Sequence, residues 1–104
     1  MAKWEVRNCF DVWGNEKDGW EVNDSTSCGC FDIPETIINN DGKLLQFMVA
    51  SGWLATSDRR RIEVDGECDI IEIRERKSKR PLYWLTLIDT EYMQIYARNN
   101  KKGE

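Results

Sequence analysis

Apolar and polar residues alternate from Trp4 to Trp13, with Trp4, Val6, Phe10 and Val12 on one face, Glu5, Arg7, Cys9 and Asp11 on the other, and Asn8 breaking the pattern. A period of two predicts a strand with one buried face. Residues 14–19, Gly-Asn-Glu-Lys-Asp-Gly, form a turn signal, because Gly and Asn tolerate left-handed backbone angles. The alternation resumes at Trp20-Glu21-Val22, so the two runs are read as a hairpin with a longer loop. Residues 23–29 are polar and predict another turn; residues 30–33 predict a short strand that Pro34 stops, followed by a turn or a short helical piece.

Leu44, Phe47, Met48 and Leu45 recur at helical spacing. Asp41 is the expected N-cap of that helix and Gly52 its stop, with Trp53 and Leu54 folding back on it. Residues 60–64 alternate again, with Ile62 and Val64 inward. Asp65-Gly66 signals a turn, residues 68–76 a strand around Ile70, Ile71 and Ile73, residues 77–81 a charged turn, and residues 82–88 a further strand. Residues 91–98 are read as a last strand and 99–104 as a polar tail.

The expected fold is therefore α+β: a mainly antiparallel sheet of five or six strands, with one central short helix packed on one face. A single domain is expected over residues 1–98. Its expected core is Val6, Phe10, Val12, Leu44, Phe47, Met48, Ile62, Val64, Ile71, Ile73, Leu85 and Leu87.

Composition narrows the classes. With 104 residues, 40% of them hydrophobic and 33% charged, the chain is globular and has one domain's worth of core. No apolar run approaches the roughly 18 residues of a membrane span. The opening residues turn charged at once and lack the apolar stretch of a signal peptide, so a reducing cytoplasm is the expected compartment. A net charge of −4 argues against broad nucleic-acid binding. The charge is unevenly spread. Residues 1–36 hold eight acids against three bases, whereas residues 74–80 hold five bases against Glu75 alone, so an acidic end and a basic end are expected.

Histidine is absent, which removes the commonest general base and the usual Ser-His and Cys-His pairs. Asp32, Glu35, Glu63 and Glu72 can meet in space as a carboxylate site, but nineteen acids make such meetings frequent by chance, and solvated acidic faces are the favoured reading. Cys9, Cys28, Cys30 and Cys68 can supply a four-thiolate zinc site. Their spacing is not the paired C-x2-C of a zinc ribbon, so plain thiols are expected, with no metal and no cofactor.

Two kinds of residue remain as candidates for binding. Arg59, Arg60 and Arg61 are the most anion-friendly run, since guanidinium forks suit phosphate or carboxylate; the plainer reading is a solvated strand end. Trp13 and Trp20 flank the acidic loop, and Tyr83 and Trp84 follow the basic turn; such aromatics serve equally as interface anchors or as core at a sheet edge.

The run Asp11-Val12-Trp13-Gly14-Asn15, with Asp18-Gly19 and Glu21-Val22-Asn23, resembles a pattern D-V-W-G-N-x-x-D-G-x-E-V-N found in small proteins of bacteriophages and mobile elements. Pro81-Leu82-Tyr83-Trp84-Leu85 is similar to their late P-L-[YF]-x-L element, while Cys28-Gly29-Cys30 and the residues after Ile88 fall outside the pattern. The resemblance carries no established activity, so no functional residue comes with it. It implies a phage accessory product. The resulting expectation is a non-enzymatic binding protein of the host cytoplasm that counters antiviral defence, by inhibiting a host defence protein or by sequestering a small nucleotide signal. It is expected to act as a homo-oligomer, because exposed sheet edges and many tryptophans leave apolar area to hide. The alternatives are a small carboxylate- or metal-dependent nuclease or nucleotide hydrolase, and a phage structural or regulatory protein with no defence role.

Overall fold

A computed structural model of the protein describes residues 2–67 and 69–88. Its elements in chain order are β1 (Ala2–Asn15), β2 (Gly19–Ile33), α1 (Glu35–Ile38), α2 (Asp41–Ala50), a 3₁₀ helix (Thr56–Arg61), β3 (Ile62–Glu67), β4 (Ile70–Glu75) and β5 (Pro81–Leu87). The strands form one five-stranded sheet in the order β2-β1-β5-β4-β3, and every pairing is antiparallel. Among the described strands β2 and β3 are the two edges, so the chain between them must travel the width of the sheet. α1, α2 and the 3₁₀ helix make that crossing. Ile38, Leu44, Leu45, Met48 and Leu54 join Trp4, Val6, Ile71, Ile73, Leu85 and Leu87 in one buried cluster. None of the described helices is long and apolar enough to cross a membrane.

α2 is the helix expected from the Leu44–Met48 stripe, and a single turn, α1, precedes it. The cap falls one residue earlier than expected: Asn40 Oδ1, not Asp41, accepts from the Lys43 amide at 3.0 Å. The helix closes as Gly52 and Trp53 amides donate to Val49 and Met48 carbonyls, each at 3.0 Å. Trp53 then lies between helix and sheet. Its ring makes edge contacts with Phe31 at 5.2 Å and Phe47 at 6.1 Å.

Four expectations are corrected. Residues 23–29 are not a turn but the middle of the 15-residue β2. β2 is an edge strand, so its polar side chains stay in water while its backbone pairs with β1. Extra residues near Asn23 and Cys28 absorb the mismatch as bulges. Phe10 is exposed, not buried. Two residues, Cys9 and Phe10, stand between the pairs Asn8↔Thr26 and Asp11↔Asp24 where β2 has only Ser25, so the register slips there, and Cys9 is buried where Phe10 is exposed. Asp65-Gly66 is no turn. Gly66 pairs with Ile71, and the chain reverses between Glu67 and Ile70. Arg60 and Arg61 lie in the 3₁₀ helix and not in a strand, which begins at Ile62. The expected strand at 91–98 and tail at 99–104 lie outside the described residues.

The rest of the expected core is buried, with Phe47 and Val64 half-buried against it. The ground for expecting a homo-oligomer through the sheet edges is weaker than the sequence suggested. β2 carries Glu21, Asp24 and Asp32 and is bulged, and β3 carries Glu63 and Asp65, so each edge is guarded by acids.

Candidate functional site

β1 pairs with β5 only from Trp4 to Asn8, while its pairing with β2 runs on to Asn15↔Gly19. The far half of the first hairpin therefore extends past the sheet as a two-stranded arm. Two large aromatics on it face solvent, Phe10 at 56% and Trp13 at 60% exposure. Trp13 is nonetheless held. Its indole N–H donates to Asp11 Oδ1 at 2.8 Å, and the other oxygen of Asp11 accepts from Asn23 Nδ2 at 2.7 Å. Asn15 organises the turn, accepting from the amides of Lys17 and Asp18 at 2.9 and 2.7 Å. Glu16, Asp18, Glu21 and Asp24 surround this end, with Lys17 as the sole base between residues 8 and 24.

Trp20 lies on the other face of the arm, because Trp13 pairs with Glu21 and Trp20 with Gly14. Its N–H donates to the Ser78 carbonyl at 2.6 Å, and the Arg80 guanidinium stands 5.4 Å from its ring centre. Trp20 thus ties the arm to the β4–β5 turn, and the two tryptophans expected to work as a pair do different things.

That turn meets the arginine run. Arg76 donates from its amide to the Arg61 carbonyl at 2.7 Å, and from Nε and Nη2 to the carbonyls of Arg60 and Ile62, each at 3.2 Å. Arg59 reaches the Gly42 carbonyl at 3.3 Å, and Arg61 pairs with Asp58. The Arg60 side chain has no hydrogen bond or ion pair among the described residues. Arg76 and Lys77 are the functional candidates that motif reading missed. Their signal was the count of bases in residues 74–80, which spacing alone could not connect to Arg59–Arg61.

Tyr83 and Trp84 divide by strand parity. Tyr83 faces the core, packs 6.4 Å from Trp53 centre to centre and donates to the Trp53 carbonyl at 3.1 Å; burial pushes its phenol up. Trp84 lies between Arg7 and Glu72 on the side of the sheet that the described helices do not cover, and its N–H donates to Glu72 at 3.0 Å.

The expected carboxylate group forms in part. Glu63 and Glu72 come together with Asp65 around Arg74, at 2.8, 3.7 and 2.9 Å, while Asp32 lies on the far edge beside Lys3. Arg74 supplies the positive charge those acids share. No group of three His, Cys, Asp or Glu side chains among the described residues is placed to hold a metal ion. Hydrogen bonds from Lys79 and Arg74 hold Glu63 below its ordinary value. A carboxylate with a depressed folded value contributes stability that is complete above its unfolded value, about 4.3, and is lost as the pH falls through the folded one. Arg74→Met is expected to destabilise the fold by about 2 kcal/mol. Glu63→Gln should flatten the acid limb of a stability–pH curve; an unchanged limb would show that the network has no such role.

Cys9, Cys28 and Cys30 are free thiols; Cys68 lies outside the described residues. Burial pushes the Cys9 thiol up to about 11, which keeps it protonated and unreactive at neutral pH.

Compared with protein-family models, with curated proteins and with solved structures, the chain matches none.

Proposed function

We propose that this protein is a non-enzymatic phage accessory product that counters host antiviral defence in the host cytoplasm by occupying the surface of a host defence protein, and that the arm presents the binding surface. The observation that carries this reading is Trp13, a largely exposed tryptophan whose orientation is already fixed by Asp11. An exposed aromatic normally loses side-chain freedom on binding. One held beforehand loses less, and more of its buried area appears as affinity. Tryptophan is also the residue most often found to dominate an interface when truncated. The acids around it fit a partner surface that is basic, with an apolar recess for the ring.

The test is to isolate the partner from host lysate, purify it and measure its affinity for variants directly. Trp13→Ala is expected to weaken binding by about 2 kcal/mol, or roughly 30-fold, with an unchanged circular dichroism spectrum. Asp11→Asn should weaken it less, because the indole keeps its area and loses only its tether. Wild-type affinity in a folded Trp13→Ala variant would remove the arm from the binding surface. Metal-dependent turnover of nucleic acid or nucleotides by the pure protein would favour an enzyme instead. A second reading, capture of a small nucleotide, has its own support in the arginines of the 3₁₀ helix.

A further inference from the structure

The 3₁₀ helix has about three residues per turn, so consecutive side chains leave it in three directions. Arg59, Arg60 and Arg61 accordingly separate: Arg59 goes to Gly42, Arg61 to Asp58, and Arg60 stays unpaired among the described residues. Arg76 holds this helix from below through three hydrogen bonds to its carbonyls and that of Ile62. The result is a ridge made of Arg60 and Arg76, with a hollow on each side. One hollow, of about 810 Å³, is completed by Arg59, Thr56, Ser57 and the start of α2. The other, of about 280 Å³, is completed by Arg61, Lys77, Glu75 and Ser78. Arg60 and Arg76 line both.

The charge around the ridge runs against that of the whole chain. Five cations, Arg59, Arg60, Arg61, Arg76 and Lys77, meet three anions, Asp41, Asp58 and Glu75, in a protein of net charge −4. A local positive excess of this kind attracts an anion small enough to sit within it. Screening over roughly 8–10 Å hides the remaining negative charge from such a ligand, but a long polyanion must lie along the acidic surface as well. Guanidinium forks bind phosphate oxygens in pairs, and the hydroxyls of Thr56 and Ser57 add donors, while that of Ser78 is already given to Glu75. Among the described residues no aromatic side chain lines either hollow, so these residues offer a ring no stacking face. The features recognised are anionic oxygens, and two hollows sharing one ridge suit two neighbouring anionic groups.

We propose that the paired hollows around Arg60 and Arg76 bind a small molecule carrying two or more linked phosphates. This site is independent of the arm. It answers to different variants, so either reading can fail alone.

The experiment titrates the full chain by calorimetry with sodium pyrophosphate, a nucleoside triphosphate, orthophosphate and a single-stranded oligonucleotide, at low and high salt. Pyrophosphate and the triphosphate are expected to bind, orthophosphate about tenfold more weakly or less, and high salt to weaken all of them. Equal affinity for the first two assigns recognition to the phosphate chain alone; tighter binding of the triphosphate adds a contribution from the nucleoside, and both results support the site. Arg60→Ala is the decisive variant, because its side chain has no hydrogen bond or ion pair among the described residues. It should lose about tenfold in pyrophosphate affinity with an unchanged thermal midpoint, and Arg60→Lys should recover part of the loss. Arg76→Ala is expected to lose binding too, but it also removes the anchor of the 3₁₀ helix. No pyrophosphate binding, an Arg60→Ala variant that binds like wild type, or preferential binding of the oligonucleotide would each overturn the proposal.

Discussion

Trp4→Ala is expected to destabilise the protein by about 4 kcal/mol, the usual scale for deleting a buried tryptophan from a packed core. Trp4 pairs with Phe31 on one side and Leu87 on the other, has no exposed surface, and sits within the main buried cluster. A domain of this size has a total stability on the order of 5–15 kcal/mol, so the variant should lose a large part of its denaturation midpoint. Trp4→Phe separates two contributions. The indole N–H is buried with no hydrogen-bond partner among the described residues. Such a donor costs about 1–3 kcal/mol, and phenylalanine removes it along with part of the ring. The relief offsets much of the lost packing, and the net cost should stay within about 1.5 kcal/mol. Equal losses for Phe and Ala would mean that the N–H is satisfied and that the ring's full width is what the core needs.

Gly14→Ala is expected to cost about 3 kcal/mol, with the damage confined to the arm. Gly14 has a φ of 117°, a region that side chains rarely enter, and a Cβ there would stand 2.2 Å from the backbone oxygen of Gly19. Backbone on the facing strand cannot step aside as a flexible side chain can. Gly19 provides the control. Its φ of 96° is also left-handed, but a Cβ would meet nothing within 4 Å, so Gly19→Ala should cost only about 1 kcal/mol. Urea midpoints of the two variants measure the difference directly. Because Trp13 is the neighbour of Gly14, the first variant should also lose partner affinity and the second should keep it. Two equal midpoints would show that the arm closes without the tight turn at Gly14.

Local chemistry in the sequence was enough to determine several elements. The β1 alternation through Val6, the turn between Gly14 and Gly19, the Leu44–Met48 stripe, the charged reversal after Glu75 and the strand expected at 82–88 each arise from neighbours a few residues apart, and each is found, the strand one residue earlier at Pro81–Leu87. The antiparallel pairing of β1 with β2 and of β4 with β5 follows from short connections. The tertiary structure decided whatever depends on a distant partner. β2 continues, bulged, through residues 23–29 because β1 supplies its hydrogen bonds, which composition cannot reveal. Phe10 is exposed and Cys9 buried at the point where one extra residue in β1 has no counterpart in β2, and register is a property of the pair. Trp20 finds Ser78 across 58 positions, and the arginine run finds Arg76 only because helices carry the chain from one sheet edge to the other. The sequence by itself therefore determined the strands, the helix and the residue types available for binding. Only the fold decided which of them share a surface, since that requires closing loops whose ends carry no local mark of each other.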